Sequence, residues 1–252
     1  MVLISAKDIE QFYEIGYFLT DVVFSAAQLQ PMAAEMDRVY AEHLDEVIAS
    51  GAEAQAIEEA RGRRSFGQFH TVSAVTAEFV KAPIYLEACH KLIGADADLY
   101  YNQATTKMPE GRGKIFAWHQ DSGYTTTEPL EYITCWTAIS DSDLGNGCIW
   151  VIPGSNKWGV QEHVRDDETP AQYAGKNARF ADESGAIPVE MKAGQVAIFS
   201  SLTLHRSGPN TSADRPRRGY VPQYHVPGAI HVETGEPFGD QVPVLRGGER
   251  VD

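Results

Sequence analysis

The sequence has no long apolar run and comparatively few cations. No stretch of its 252 residues approaches the roughly 20 apolar residues of a transmembrane helix. Its opening, MVLISAKD, lacks the basic region of a secretory signal, so we expect a cytoplasmic protein. Lysine and arginine number 21 against 35 acidic residues, a net charge of −14. That charge repels phosphate backbones and anionic lipids, which disfavours nucleic acids and membranes as partners.

Cysteine is scarce as well. Cys89, Cys135 and Cys148 are widely spaced and form no Cys-x-x-Cys pair. We interpret them as buried free thiols in a reducing compartment. A chain of this length buries enough surface to fold without a disulfide or a structural metal. Any metal site is therefore expected to serve chemistry rather than folding.

The spacing of apolar residues changes from helical to strand-like along the chain. The first third predicts helices that begin near Ser5 and Ser25, and a third over residues 76–93, interrupted by Pro83. Alternation then predicts strands at residues 97–108, 131–140, 147–152, 187–191, 195–204 and 219–226. Helices followed by many short strands predict an α+β, mainly β fold, with the helices on one face of a β sandwich or barrel.

We predict one domain over residues 1–252. Residues 1–96 would be a mainly helical support, residues 97–226 the β core, and residues 227–252 a C-terminal extension. The charged, weakly patterned segment 161–186 interrupts the core. An insertion of that length is usually either a functional lid or a mobile loop. Oligomeric state is not readable from the sequence.

The main chemical signal is a His-x-Asp pair, His119 and Asp121. Residues two apart on a strand point to the same side, so both side chains can bind one metal ion. His205, at the end of an apolar strand, is the best third ligand. Two histidines and one carboxylate form the facial triad of non-haem Fe(II) oxygenases. The pair alone is a weak signal, because His-x-Asp also occurs by chance.

A basic group follows His205. Arg215, Arg217 and Arg218 come after the turn SGPNTSADRP, which could return the chain beside the His205 strand. A buried arginine needs an anion, and its fork fits a carboxylate. An inward arginine beside an iron site would suggest a dicarboxylic co-substrate. The alternative is a solvated loop with surface arginines.

Several ordered motifs resemble the phytanoyl-CoA dioxygenase family of Fe(II)- and 2-oxoglutarate-dependent oxygenases. Nearly the whole chain takes part. The motifs are residues 9–37 (IEQFYEIGYFLTDVVFSAAQLQPMAAEMD), 103–121 (QATTKMPEGRGKIFAWHQD), 138–159 (AISDSDLGNGCIWVIPGSNKWG) and 194–224 (GQVAIFSSLTLHRSGPNTSADRPRRGYVPQY). The chain departs from the family pattern at Asn156, Gln195 and Arg206.

The resemblance implies a double-stranded β-helix, a cupin-like jelly roll, with the helices packed on one sheet. His119, Asp121 and His205 would be the catalytic iron ligands, and the cofactors would be Fe(II), 2-oxoglutarate and O₂. The implied reaction is hydroxylation of an unactivated C–H bond of a small-molecule metabolite or natural-product intermediate, with release of succinate and CO₂. Family halogenases lack the metal carboxylate, so the presence of Asp121 disfavours halogenation.

The resemblance also implies a co-substrate site. Arg217 would hold the distal carboxylate of 2-oxoglutarate, with Arg218 as the alternative, and Ser207 would hydrogen-bond the same carboxylate. Trp136 would line this pocket and Gln103 would lie near its metal end, while Lys107 is a weaker match. Candidate substrate-pocket residues are Phe66, Gln68, His70, Tyr101, Phe116, Tyr124 and Arg206.

Two other functions use the same residues. A cupin-like metal-binding or sensor protein would bind a metal through the triad without needing Arg217. A metal-dependent hydrolase would use His119, Asp121 and His205 without O₂. For each pocket candidate, the alternative is ordinary core packing.

Overall fold

A computed structural model of the chain describes residues 2–62, 65–109, 115–164, 173–174, 176–180, 182–239 and 241–252. The helices in these ranges are α1 (Ala6–Ile15), α2 (Ala26–Ala49), α3 (Ala54–Gly62), α4 (Ala74–Phe79) and α5 (Pro83–Leu92). The strands are β1 (Tyr17–Leu19), β2 (Ser65–Gly67), β3 (Ala97–Lys107), β4 (Ile115–His119), β5 (Thr127–Glu128), β6 (Ile133–Ala138), β7 (Ile149–Val151), β8 (Glu162–Val164), β9 (Tyr173–Ala174), β10 (Asn177–Arg179), β11 (Ile187–Val189), β12 (Val196–Ser200), β13 (His205–Ser207), β14 (Arg217–His225), β15 (Ile230–His231), β16 (Val242–Arg246) and β17 (Glu249–Arg250). No helix in the described residues is both long enough and apolar enough to cross a membrane.

The first two helices begin where the sequence predicts. Ser5 caps α1 in a reciprocal box with Asp8, which satisfies backbone donors at the helix start. Ser25 precedes α2, and its N–H donates to the Gln28 side chain at 3.0 Å. The buried face of α2 carries the predicted apolar stripe: Leu29, Met32, Met36, Val39 and Tyr40.

The third predicted helix is two helices. The first, α4, ends at Phe79, and α5 starts at Pro83. Proline has no N–H to donate and clashes with the preceding turn, so it fits the first position of a helix but not its interior. The predicted interruption at Pro83 is confirmed, and it separates residues 76–93 into two helices, α4 and α5.

Two sheets form a sandwich with the helices on its outer side. The large sheet has the order β1-β12-β6-β14-β3-β16-β17, with β2 beside β3. The small sheet has the order β11-β7-β13-β4-β9, and all its pairs are antiparallel except β4 with β9. This arrangement confirms the mixed α+β prediction.

Alternate residues of the large sheet face opposite layers, as the pleat requires. One set packs against the helices and includes Ile133, Cys135, Ile198, Tyr220 and Tyr224. The other set faces the small sheet and includes Trp136, Ala138, Ala197, Phe199 and Val221, in contact with Ile149, Val151 and Val189. Side chains from the two facing sheets meet in the space between them, and this space holds the candidate active site.

The segment predicted as a lid or mobile loop, 161–186, is only partly described. Residues 165–172, 175 and 181 lie outside the described residues. Within the rest, β8 and β10 pair antiparallel, and Phe180 packs its ring edge-on against Trp118, 5.7 Å between centroids. Phe180 therefore lies on the outer face of the small sheet, whereas β9 is the edge strand of that sheet, beside β4. A role of the segment as a lid stays a prediction.

Candidate active site

Neighbouring strands of the small sheet bring the three predicted metal ligands together. His119 ends β4, and His205 begins β13 directly opposite it in the antiparallel pairing. Asp121 starts a short 3₁₀ turn after β4, so it is not itself on a strand. The turn nevertheless places its carboxylate beside both imidazoles, as the two-residue spacing predicts.

The three side chains form a compact donor set. Asp121 Oδ1 lies 3.7 Å from Nε2 of His119 and 3.7 Å from Nε2 of His205. The two imidazole rings are 4.0 Å apart at their centroids. One ligand atom from each residue lies within 4.8 Å of the others, and within the described ranges no other cluster of histidine, cysteine and carboxylate groups meets this criterion.

Hydrogen bonds orient both imidazoles. Nδ1 of His119 lies 2.8 Å from the Ala117 carbonyl oxygen, and Nδ1 of His205 lies 2.9 Å from that of Thr203. A carbonyl oxygen only accepts, so Nδ1 carries the proton and Nε2 presents its lone pair to the centre. Burial lowers the pKa of His119 well below its usual value, with the neighbouring His205 adding to the effect. The ring is therefore neutral, as a metal ligand must be.

The carboxylate of Asp121 is held at its other oxygen. Oδ2 accepts from Thr134 Oγ1 at 2.6 Å and from Gln223 Nε2 at 2.8 Å. Oδ1 is left facing the imidazoles. Sequence reasoning missed Thr134 and Gln223. The available signal was strand alternation. Thr134 lies two residues before Trp136 and Gln223 lies six residues after Arg217, so each points to the same side of its strand as that predicted site residue.

This donor set fits the metal that the sequence predicts. Two imidazole nitrogens and one carboxylate oxygen on one side of a centre suit non-haem Fe(II) and leave coordination positions for other ligands. The hydrogen bonds donated by Nδ1 of each histidine, and the two hydrogen bonds accepted by Asp121 Oδ2, are the outer contacts that such a site requires.

Arg217 lies deep between the sheets and lacks an ionic partner. Its side chain is 2% exposed, and its guanidinium carbon lies 5.1 Å from the centre of the Trp136 ring. Its Nε has no hydrogen-bond partner, and no ion pair joins Arg217 to a carboxylate of the described chain. Burial lowers its pKa to about 10. A buried, unpaired guanidinium marks a place for an anion.

Arg218 faces the opposite way. It forms an ion pair with Asp37 of α2 at 2.9 Å, on the helix side of the large sheet. Of the two candidates, the structure therefore brings only Arg217 into the space between the sheets.

A second buried cation lies beside Arg217. Lys107 is paired with Arg217 in the register of β3 and β14, so both side chains share one face. Lys107 Nζ donates to the carbonyl oxygens of Ser207 and Gly208. Burial, and then the charge of Arg217, lower its pKa to about 6. Ser207 is buried at the same end, and Gln103, four residues before Lys107 on β3, accepts from Ser65 Oγ at 3.2 Å.

Two of the predicted pocket residues lie beside the triad, and a third is on a neighbouring strand. The rings of Phe116 and Tyr124 are 5.0 and 5.5 Å from that of His119. Tyr101 is paired with Gln223 across β3 and β14, and it packs with Tyr100.

Three others lie on the helix side and are corrections to the sequence prediction. Phe66 packs against Tyr40 and His43 of α2, at 5.1 and 4.9 Å between ring centroids. Gln68 and His70 both hydrogen-bond Asn102, which also accepts from the buried hydroxyl of Tyr220. The reason is the register: Phe66 is paired with Ala104, whose side chain packs in the helix-side core.

Arg206 is the fourth correction. It follows His205 on β13, so its side chain points to the outer face of the small sheet. Its guanidinium lies between two indoles, 5.1 Å from Trp118 and 5.2 Å from Trp150. Arg206 thus packs in a surface layer and does not line the pocket.

The residue between the two ligands anchors the start of segment 161–186. The Gln120 side chain is fully buried, donates to the carbonyl oxygens of Gly159 and Leu202, and accepts from the Gln161 N–H. The Gln120 N–H donates to Nε2 of His163 at 2.8 Å. His163 and Gln120 were not predicted, because nothing in the sequence indicates that these two segments meet.

Known proteins resemble this chain in sequence and fold. The sequence model of the family described as Phytanoyl-CoA dioxygenase (PhyH) matches residues 12–219. Ectoine dioxygenase of Bordetella parapertussis is 24% identical over 224 residues, 83% of this chain and 71% of that protein. The crystal structure of EctD from S. alaskensis with 2-oxoglutarate and 5-hydroxyectoine has a TM-score of 0.73 at 21% identity, over 98% of this chain and 88% of that one.

A further solved structure is the epimerase SnoN in complex with Fe³⁺, alpha ketoglutarate and nogalamycin RO. It has a TM-score of 0.66 at 18% identity, over 95% of each chain. These structural matches confirm the jelly-roll prediction for the fold.

Proposed function

The chain belongs to the phytanoyl-CoA dioxygenase family of non-haem Fe(II)- and 2-oxoglutarate-dependent dioxygenases, and we propose that it hydroxylates an unactivated C–H bond of a small-molecule metabolite or natural-product intermediate. Succinate and CO₂ are the co-products. The observation that carries the proposal is a His-Asp-His triad that shares the interior of one sandwich with a buried, unpaired arginine.

His119, Asp121 and His205 would hold Fe(II). Their three donor atoms converge, and each residue is fixed from behind by a hydrogen bond. When bound, the iron supplies the oxidising chemistry with O₂, while the protein positions the reactants and excludes water. The retained carboxylate of Asp121 favours hydroxylation over halogenation.

Arg217 would bind the distal carboxylate of 2-oxoglutarate. Its fork can donate two parallel hydrogen bonds, and an anion would remove the cost of its unpaired burial. Ser207 and Lys107 lie at the same end and would add donors, and Trp136 would form one wall. Gln103, on the same face of β3, would lie toward the keto-acid end.

The pocket wall supports a small, partly apolar substrate. Phe116 and Tyr124 place aromatic rings beside His119, and aromatic walls with few polar groups are typical of small-molecule sites. Two proteins of similar fold bind small organic molecules, 5-hydroxyectoine in EctD and nogalamycin RO in SnoN, which supports a small organic substrate here.

The first test is an anaerobic absorption titration. Fe(II) is added to the apoprotein and then 2-oxoglutarate, and the weak visible charge-transfer band of an iron-chelated keto acid is followed. We expect the band in the wild type, its loss in His205→Ala, and a much higher 2-oxoglutarate requirement in Arg217→Ala. Iron binding without the band would overturn the co-substrate assignment.

The second test is substrate-dependent succinate formation under air. It should disappear in His119→Ala and in Asp121→Ala, because each variant lacks one of three metal donors. Unchanged succinate formation in either variant would contradict the proposed iron site.

A further inference from the structure

Gln223 connects the end of β14 to the metal centre. It lies beyond residue 219, where the match to the family model ends. Its Nε2 donates to Asp121 Oδ2 at 2.8 Å and to Thr134 Oγ1 at 2.9 Å, and Thr134 Oγ1 donates to the same Oδ2 at 2.6 Å. The three side chains therefore form a closed triangle around one carboxylate oxygen.

Tyr100 determines which way the Gln223 amide points. Its buried hydroxyl donates to Gln223 Oε1 at 2.7 Å. A carboxamide has a donor end and an acceptor end, so a hydroxyl proton directed at Oε1 leaves the NH₂ group facing Asp121. The opposite orientation would place Oε1 against the carboxylate, where two acceptors would meet.

The C-terminal extension holds Tyr100 in place. Phe238 stacks on its ring, with centroids 4.2 Å apart, and Tyr132 packs edge-on at 4.9 Å. Phe238 is 6% exposed, and its N–H donates to the Ala229 carbonyl oxygen. Next to it, Gly239 has φ +67°, and a Cβ there would lie 2.4 Å from the Tyr100 carbonyl oxygen, so the backbones are in close contact.

We propose that Tyr100 and Gln223, supported by Phe238, are positioning residues that keep Asp121 a one-oxygen metal ligand. With Oδ2 occupied by two donors, Oδ1 alone would be available to a bound metal, which would leave a further coordination position for the co-substrates. This inference rests on the proposed role of Asp121 as a ligand. It also assigns a function to the extension outside the family match.

We call the chain of contacts from Tyr100 through Gln223 to Asp121 the relay. Metal affinity tests the relay without catalytic turnover. Co(II) is titrated anaerobically into the apoprotein, and both its dissociation constant and its visible ligand-field spectrum are recorded. Gln223→Met keeps the side-chain length and removes both polar ends, and we expect about 10- to 100-fold weaker binding with a changed spectrum. Tyr100→Phe removes one hydrogen bond, and we expect about 2- to 10-fold weaker binding.

A double-mutant cycle separates positioning from general damage. If Tyr100 acts through Gln223, Tyr100→Phe should have no further effect on Co(II) affinity in the Gln223→Met background. Fully additive effects would overturn the relay. If Gln223→Met does not fold, as judged by thermal unfolding of the apoprotein, Tyr100→Phe and Phe238→Leu provide the test, and unchanged Co(II) affinity in both overturns it.

Tyr224→Phe is the matched control. Tyr224 is also a buried tyrosine, but its hydroxyl donates to the Val80 carbonyl oxygen on the helix side, 2.5 Å away. We expect its Co(II) affinity and spectrum to match the wild type. Asp121→Ala distinguishes the two levels of the argument: unchanged Co(II) affinity there would refute the proposed metal site itself. Weakened affinity in Asp121→Ala with wild-type behaviour in Tyr100→Phe and Gln223→Met would refute the relay alone.

Discussion

The guanidinium of Arg217 lies over the indole of Trp136, 5.1 Å from its centre, and both side chains are buried between the two sheets. Trp136 supplies a π face for the cation, which lowers the cost of burying it but does not satisfy its N–H donors. Nε of Arg217 stays without a partner. A carboxylate that enters this space would pack against the Trp136 indole and could accept hydrogen bonds from the unsatisfied guanidinium of Arg217.

Arg217→Met should weaken 2-oxoglutarate binding to the Fe(II) protein by about 100-fold, roughly 3 kcal/mol, because charge-assisted hydrogen bonds to one carboxylate are lost. The charge-transfer titration measures it. Arg218→Met is the neighbouring control. That arginine pairs with Asp37 outside the sandwich, so its removal should leave 2-oxoglutarate affinity unchanged. Equal losses in the two variants would contradict the assignment of Arg217.

Gly219→Ala should displace Trp136. A Cβ at position 219 would lie 2.4 Å from Trp136 Cζ2, so the indole would have to move. We expect a loss of about 1–3 kcal/mol in unfolding free energy from overpacking, together with weaker 2-oxoglutarate binding. Gly185→Ala, where a Cβ meets nothing within 4 Å, is the control for the substitution itself. Wild-type 2-oxoglutarate affinity in Gly219→Ala would show that Trp136 does not shape that pocket.

Lys107 should make the stability of the apoprotein depend on pH. Burial lowers its pKa from 10.5 to about 6, so between these values the unfolded chain holds a proton that the folded chain lacks. Its contribution therefore becomes less destabilising as pH rises through this window, by up to about 1.4 kcal/mol per pH unit. The variant Lys107→Met should have a higher free energy of unfolding than the wild type at pH 6, and this difference should shrink from pH 6 to pH 9. Thermal unfolding of both proteins across this range measures it.

The control for this pH dependence is Lys192→Met, which removes a lysine whose side chain is 76% exposed. The difference in unfolding free energy between Lys192→Met and the wild type should not change in this way between pH 6 and pH 9. A Lys107→Met difference that is constant with pH would mean that Lys107 keeps its proton on folding.

Arg206→Met should lower stability and leave the site intact. Its guanidinium lies between Trp118 and Trp150 on the outer face of the small sheet, and we expect a loss of about 1–2 kcal/mol when this stacking is removed. Fe(II) and 2-oxoglutarate titrations should match the wild type. A changed titration would show that Arg206 reaches the pocket after all.

Local sequence was sufficient for some features and insufficient for others. The Ser5 box, the start of α2 and the positions of β3, β6, β7, β11, β12 and β14 follow from capping chemistry and spacing, which act over a few residues. Phe66, Gln68 and His70 were misplaced because the side that a strand shows to the core depends on its register with a distant partner. Thr134, Gln223 and Tyr100 were missed for the same reason.

The sequence by itself determined the chemistry: a His-x-Asp pair, a distal histidine, a following arginine group and the order of motifs that identifies the family. Only the tertiary structure decided which side chains meet. Pairing of β14 with β3 and β6 places Arg217 inside and Arg218 outside, although they are adjacent in sequence. A shift of one residue in that register would exchange them, because side chains alternate across a strand and the register is set by contacts far apart along the chain.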